Sequence, residues 1–239
     1  MKFGLIGHPV AHSFSPSYFK QKFAVLGLPY SYEAKDLESL SDVKSMVRAW
    51  NWRGFNVTIP HKQGIMPFLD EVDKDASAIG AVNTVSVVNN QWKGFNTDHI
   101  GFGRTLDSLR TPEDRSALIL GDGGAAKAVK YALEQRGITY QIVRRSGDLD
   151  YDQLHPNHIR AHQIIINTTP LGMSPKEAEF PPIPYEAITP QHLLYDLIYH
   201  PAETAFLRKG RLLGARTING ESMLHLQADE SWQIWEANL

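Results

Sequence analysis

The sequence contains no cysteine. That excludes disulfides, thiolate metal sites and a cysteine nucleophile, and it fits a reducing compartment. No apolar run is long enough to span a bilayer. The opening segment, Met1 to Pro9, is broken at Gly7 and Pro9, too early for a signal peptide. A formal net charge of −2 leaves no electrostatic footprint for nucleic acid or an anionic membrane. The ten histidines are scattered, with no helical His-x-x-x-His pair beside an acid, so no metal site is expected. Repeats and low-complexity segments are also missing. These absences point to a soluble, cytoplasmic protein. What is present is apolar mass. Hydrophobic residues make up 42% of the 239 positions, enough for one large domain or two modest ones with real cores.

The N-terminal part reads as alternating strands and helices. Phe3 to Gly7 is a buried first strand. The loop after it carries two hydroxyls, Ser13 and Ser15, and Ser15-Pro16 opens a helix with Ser15 as N-cap and Pro16 at the first helical position. A helix start with nearby hydroxyls suits a carboxylate or phosphate, and ordinary capping explains Ser15 equally well. Tyr30 to Ala34 alternates as a strand, Leu40 to Trp50 is helical, and Asn56 to Ile59 is a strand end stopped by Pro60. Thr58 and Lys62 therefore sit at a strand-to-helix corner, where α/β sheets place ligands. A lone lysine there also reads as a solvated charge. Ala81 to Val88 and Gln91 to Phe95 form a hairpin around Asn89-Asn90. Asn83 interrupts the apolar run, so its amide either pins a loop or meets a polar ligand. Asp98 precedes a helix from His99 to Leu109 and could serve simply as its N-cap.

A polar joint, Thr111 to Asp114, places a domain boundary nearby. Beyond it, Ser116 to Leu120 is a buried strand that runs into Gly121-Asp122-Gly123-Gly124-Ala125-Ala126 and then a helix, Lys127 to Gln135. This is G-x-G-x-x-A between a strand and a helix, with the next strand, Tyr140 to Val143, inside about thirty residues, which is the context the dinucleotide fingerprint requires. A carboxylate in such a loop would repel a pyrophosphate, so Asp122 is expected to point outward. At the end of the second strand an NAD site usually carries an acid. This chain has Arg144-Arg145-Ser146, which suits the 2′-phosphate of NADP or is a solvated basic turn. Later strands are expected at Gln163 to Asn167, Leu193 to Tyr199 and Arg216 to Ile218, with a loop at Thr168 to Met173 on the cofactor side. A last helix from Ser222 to Ala237 is expected to pack through Met223, Leu226, Ile234 and Trp235.

Taken in order, His12 to Pro16, Asn56 to Lys62, Ile79 to Thr84, Gly94 to Asp98, Gly121 to Ala126, Thr169 to Met173 and Asp196 to Tyr199 resemble the shikimate dehydrogenase family over nearly the full length. Gly220, Met223-Leu224 and Gln227 extend the likeness into the tail. The resemblance implies an α/β fold of two domains with a cleft between them. Residues 1–98, completed by 220–239, would form the substrate domain, and 99–219 a Rossmann-like NADP-binding domain. It implies an NADP-dependent alcohol dehydrogenase that reduces 3-dehydroshikimate to shikimate on the route to chorismate and the aromatic amino acids, as a monomer or homodimer. Lys62 and Asp98 would be the catalytic pair. Ser13 and Ser15 would hold the substrate carboxylate, and Thr58, Asn83, Tyr199 and Gln227 its carboxylate or ring hydroxyls. Gly121, Asp122, Gly123, Gly124 and Ala125 would surround the pyrophosphate. Arg144, Arg145 and Ser146 would take the adenosine phosphate, and Thr168, Met173, Ile198 and Gly220 would line the nicotinamide. His99 stands where the family usually has glycine, and the segment after Arg145 is short, which suggests a trimmed crossover. Two rival readings are a quinate/shikimate dehydrogenase with relaxed cofactor choice and a non-catalytic NADP(H)-binding sensor.

Overall fold

The computed structural model describes residues 1–238 and divides into two compact units. The first is Met1–Thr97 together with the segment from Gln227 to the C-terminus, and the second is Asp98–Leu226. The first carries β1 (Lys2–Gly7), α1 (Ser15–Val25), β2 (Ser31–Asp36), α2 (Val43–Trp50), β3 (Trp52–Val57), β4 (Glu71–Val72), α3 (Lys74–Ile79), β5 (Thr84–Val88) and β6 (Gln91–Phe95). The second carries α4 (Asp98–Asp107), β7 (Ser116–Leu120), α5 (Gly124–Glu134), β8 (Thr139–Val143), α6 (Pro156–Ala161), β9 (Ile164–Asn167), β10 (Leu193–Asp196), α7 (Ala205–Leu212) and β11 (Arg216–Ile218). The last helix, α8 (Glu221–Glu236), starts in the second unit and continues in the first. Among the described residues no helix is long and apolar enough to cross a membrane.

The first unit is built on a mixed sheet in the order β2-β1-β3-β5-β6-β4. Strands β1, β2 and β3 run parallel, whereas β5 returns antiparallel to β3 and pairs with β6 as a hairpin. The hairpin turn has Asn89 and Asn90 at φ 51° and 62°, the left-handed pair that a two-residue turn needs and that asparagine tolerates best among residues with a Cβ. One face of the sheet is filled by Phe3, Phe19, Phe23, Trp232 and Trp235, with Phe3 stacked on Trp235 at 4.9 Å between ring centroids. Ala228, Trp232 and Trp235 recur at three- and four-residue spacing, so one stripe of α8 faces this core. Trp232 and Ala228 are anchors that the sequence reading did not name, and Ile234, which it did, is only half-buried.

The second unit is a five-stranded, all-parallel sheet in the order β11-β10-β9-β7-β8. Strands Ala117–Leu120 and Ile164–Ile166 are fully buried, as parallel strands covered on both faces must be. Two apolar clusters cover those faces, one holding Phe102, Val129, Leu133 and Tyr195 and the other Leu154, Ile159, Phe206 and Leu207. This is a doubly wound, Rossmann-like sheet. Its strand order reverses between β7 and β9, the switch point at which such folds bind ligands. The crossover after β8 is indeed short, with only the six-residue α6 for a helix.

Several boundaries differ from the sequence reading. Ser15 is not an N-cap: Phe14 holds that position without a side-chain cap, and Ser15 is the first residue of α1. Asp98 opens α4 from within rather than preceding it, an acid in the first turn where the helix dipole favours it. The strand expected over 81–88 starts only at Thr84, because Gly80 ends α3 in the left-handed conformation and Asn83 is taken up by side-chain bonds. Residues 220–226, read from sequence with the first region, cluster with the second, where Met223 joins the core.

Candidate active site

The β3 corner is set by backbone pairing that outlasts the strand. The Thr58 N–H donates to the Ile6 carbonyl at 2.9 Å, and the His8 N–H donates to the Ile59 carbonyl at 2.9 Å. Gly7 is required there, since a Cβ on it would lie 2.3 Å from Thr58 Cγ2. The chain then folds into turns rather than a helix. The His61 N–H returns to the Thr58 carbonyl, and the buried His61 ring is tied to the Leu37 carbonyl at 2.6 Å. Lys62 is half-buried, and its carbonyl accepts from the Val82 N–H at 2.8 Å, which fixes the lysine backbone to the segment carrying Asn83.

Behind this corner lies a buried polar network within the first unit. The Asn83 Oδ1 accepts from the Thr97 N–H at 2.7 Å, and its Nδ2 donates to Thr97 Oγ1 at 2.9 Å and to Gln227 Oε1 at 3.4 Å. Asn83 thus both pins a loop and reaches Gln227, a residue 144 positions away. The Asn56 Nδ2 donates to the Asn83 carbonyl, Thr84 Oγ1 and Ser231 Oγ at 3.0–3.1 Å, while its Oδ1 accepts from the Tyr32 hydroxyl at 2.7 Å. Burial pushes the Tyr32 phenol well above its ordinary range, and a hydrogen bond with Ser15 opposes that shift. Ser15 in turn donates its N–H to Ser13 Oγ at 3.4 Å. The structure therefore links Ser13, Ser15, Asn83 and Gln227 through Tyr32, Asn56, Thr84, Thr97 and Ser231. Thr84, Thr97 and Ser231 had no role in the expectations drawn from sequence. Ser231 lies four residues from both Gln227 and Trp235, and that helical spacing was the available signal.

Asp98 and Tyr199 belong to the second unit. Asp98 is buried at the start of α4, and the ring of His99 beside it meets Tyr131 of α5 edge-on, 5.1 Å between centroids. Tyr199 follows β10 and is 39% exposed.

The glycine loop has the geometry of a nucleotide cradle. Gly121 sits at φ +102°, a conformation that disfavours any side chain, and a Cβ there would approach Thr168 Oγ1 at 2.8 Å. The β7 and β9 loops thus close on each other at the switch point. Gly123 and Gly124 differ: a Cβ on either would meet nothing within 4 Å, so the backbone at the start of α5 borders open space. Ala126 is fully buried, which lets α5 sit close to the sheet. Residues with open glycine backbone, a helix N-terminus and guanidinium groups at the end of β8 fit a dinucleotide with an extra phosphate.

Asp122, expected to point away from a pyrophosphate, takes part in ion pairs. Its carboxylate pairs with Lys130 Nζ at 3.1 Å and Arg144 Nη2 at 3.5 Å. Arg145 and Ser146 are exposed. The Thr168 hydroxyl donates to the Leu120 carbonyl at 2.8 Å, so Thr168 lends the loop shape rather than a free donor. Met173 is 49% exposed, Ile198 is buried, and the Gly220 N–H donates to the Ile198 carbonyl at 3.0 Å. Asp196 is a buried acid to which the sequence reading assigned no role; burial pushes its carboxyl up to about 6 against three hydrogen bonds from Thr204, Ile198 and Asn167.

A family model described as the shikimate dehydrogenase substrate binding domain matches residues 5–85. A relative from Methanococcus maripaludis, named shikimate dehydrogenase (NADP(+)), is 42% identical over 97% of this chain and 90% of its own length. The chain belongs to the shikimate dehydrogenase family. Among solved structures, shikimate dehydrogenase from Aquifex aeolicus is 35% identical with a TM-score of 0.90, covering 100% of this chain and 94% of that one. Shikimate 5-dehydrogenase from Thermus thermophilus, solved in complex with NADP(H) and shikimate, is 34% identical with a TM-score of 0.90 and the same coverage.

Proposed function

We propose that the chain catalyses the reversible NADPH-dependent reduction of 3-dehydroshikimate to shikimate. The observation that carries this reading is full-length similarity to NADP-dependent shikimate dehydrogenases joined to an open glycine loop at the switch point. The first unit is the substrate domain and the second the cofactor domain. When bound, the nicotinamide supplies the hydride to the substrate's C3. The protein's own work is orientation and proton handling. Lys62 delivers a proton to the C3 oxygen during reduction and removes it during oxidation. Asp98 accepts a hydrogen bond from a substrate hydroxyl. Ser13 and Ser15 hold the carboxylate, and Thr58, Asn83, Tyr199 and Gln227 hold the carboxylate or ring hydroxyls. Gly121, Gly123, Gly124 and Ala125 surround the pyrophosphate, Arg144, Arg145 and Ser146 bind the adenosine phosphate, and Thr168, Met173, Ile198 and Gly220 line the nicotinamide. Asp122 acts on the cofactor through Arg144 rather than by touching it. A cysteine-free chain fits a cytoplasmic setting.

Steady-state assays with shikimate against quinate, and NADP against NAD, test this reading. The reading requires kcat/KM to be highest for shikimate with NADP. Equal use of quinate would favour the broader dehydrogenase, and no turnover with either acid would leave a binding protein.

A further inference from the structure

We propose that Asp196 is a positioning residue that holds in register the two segments assigned to the nicotinamide, Thr168–Met173 and Ile198. This rests on the cofactor assignment given above. Asp196 ends β10, paired in register with Asn167 at the end of β9, and both are fully buried. Its Oδ1 accepts from Asn167 Nδ2 and from the Ile198 N–H, each at 3.0 Å. Its Oδ2 accepts from the Thr204 hydroxyl at 2.6 Å. Asn167 passes the constraint on. Its Oδ1 accepts from the Thr169 N–H at 3.0 Å and the Thr169 hydroxyl at 2.6 Å, and its Nδ2 also reaches the Leu171 carbonyl at 3.3 Å. Ile198 passes it the other way, through its carbonyl to the Gly220 N–H. One carboxylate therefore ties together the β9 loop, the end of β10 and, through Thr204, the start of α7.

A plain helix-capping role does not account for this. Thr204 already caps α7 with its own oxygen, which accepts from the Leu207 N–H at 3.3 Å. A buried carboxylate is costly to the fold, and an apolar or amide side chain would serve packing more cheaply. What the carboxylate adds is one acceptor oxygen shared by the ends of β9 and β10 and a second one aimed at Thr204. Such costs gather where geometry matters to chemistry.

The test compares Asp196→Ala, Asp196→Asn and Asn167→Ala in the full chain. A displacement of about 1 Å can cost up to roughly a hundredfold in rate, so Asp196→Ala should lower kcat by between tenfold and a hundredfold. The KM for shikimate should change little, and the deuterium isotope effect from C4-labelled NADPH should rise. Asp196→Asn keeps Oδ1 as an acceptor and should recover most of the loss. Asn167→Ala should act like Asp196→Ala, with faster amide exchange at Thr169. Lower thermal stability of Asp196→Ala with unchanged kcat and isotope effect would overturn the proposal, as would equal losses in the Ala and Asn variants. If Asp196→Ala does not fold, Asn167→Ala decides alone, and unchanged kcat there overturns it. A wild-type protein inert toward shikimate would sink the reaction assigned above. NADPH affinity and Thr169 exchange in Asn167→Ala would still judge the positioning role.

Discussion

Gly121 should respond to an added methyl group differently from Gly123 and Gly124. At Gly124, the first residue of α5, a Cβ meets nothing within 4 Å. Alanine there carries no clash and lowers unfolded-chain entropy, a gain of about 0.5 kcal/mol at a helix end, equivalent to a rise of roughly 1–2 °C in Tm. The same methyl projects into the space assigned to the pyrophosphate. It should weaken NADPH binding by about tenfold or more, near 1.4 kcal/mol. Gly123→Ala should behave alike, since Gly123 has φ −82° and ψ −171°, which alanine adopts freely. Gly121→Ala should instead lose stability. Its φ of +102° costs about 1–3 kcal/mol for a residue with a Cβ. The methyl would also press on Thr168 Oγ1 at 2.8 Å and Thr169 Cγ2 at 2.9 Å. Thermal melts without cofactor, paired with NADPH fluorescence titrations, separate the two effects. Unchanged NADPH affinity in both Gly123→Ala and Gly124→Ala would refute the cradle. A Gly124→Ala melt as low as that of Gly121→Ala would refute the open space.

Lys62→Ala should lower kcat by about a hundredfold or more, the range for a lost acid–base group, with modest change in KM. Near-wild-type turnover in steady-state assays would remove Lys62 from the mechanism. Asn56→Ala strips the acceptor from the Tyr32 hydroxyl and removes the N–H donor that Thr84 Oγ1 and Ser231 Oγ share, so urea melts should show a loss of about 2 kcal/mol. Asp196 should leave a mark on the pH dependence of stability. Its folded value of about 6 lies above the ordinary 3.8, so the folded state binds more protons between these values and stability falls as pH rises from 4 to 6. The drop is bounded at about 3 kcal/mol, and the wild-type minus Asp196→Asn difference in melts across that range isolates it. A flat difference would contradict it. Arg144→Ala should raise the KM for NADP by about tenfold while leaving that for NAD nearly unchanged, because the lost contact is to the extra phosphate. An equal effect on both cofactors would count against that role.

Local features were legible in the sequence. The G-x-G-x-x-A loop gave both the left-handed Gly121 and the close-packed Ala126, because each need is met within a few residues. Asn89-Asn90 gave the hairpin for the same reason. The short segment after Arg145 gave the shortened crossover. Features made by distant partners were not legible. Asn56 and Ser231 bond across 175 positions, and no periodicity announces such a pair. Asp122 and Arg144 were read as separate contributions, yet they form an ion pair that only the parallel pairing of β7 with β8 could bring about. Asp196 was read as the middle of a strand from Leu193 to Tyr199, whereas the strand ends at Asp196, and its bonds emerged only once β9 lay beside β10. Ser15 was misread because a serine before proline satisfies the capping rule, whereas the observed helix begins one residue earlier and leaves the Ser15 hydroxyl to Tyr32.

Isotope transfer tests the central claim most directly. The wild-type protein would be given 3-dehydroshikimate and NADPH carrying deuterium at the transferring C4 position, and the product examined by mass and NMR. The account predicts shikimate with one deuterium on C3, the carbon bearing the new hydroxyl. Product lacking that label, or no consumption of the reduced cofactor, would contradict it.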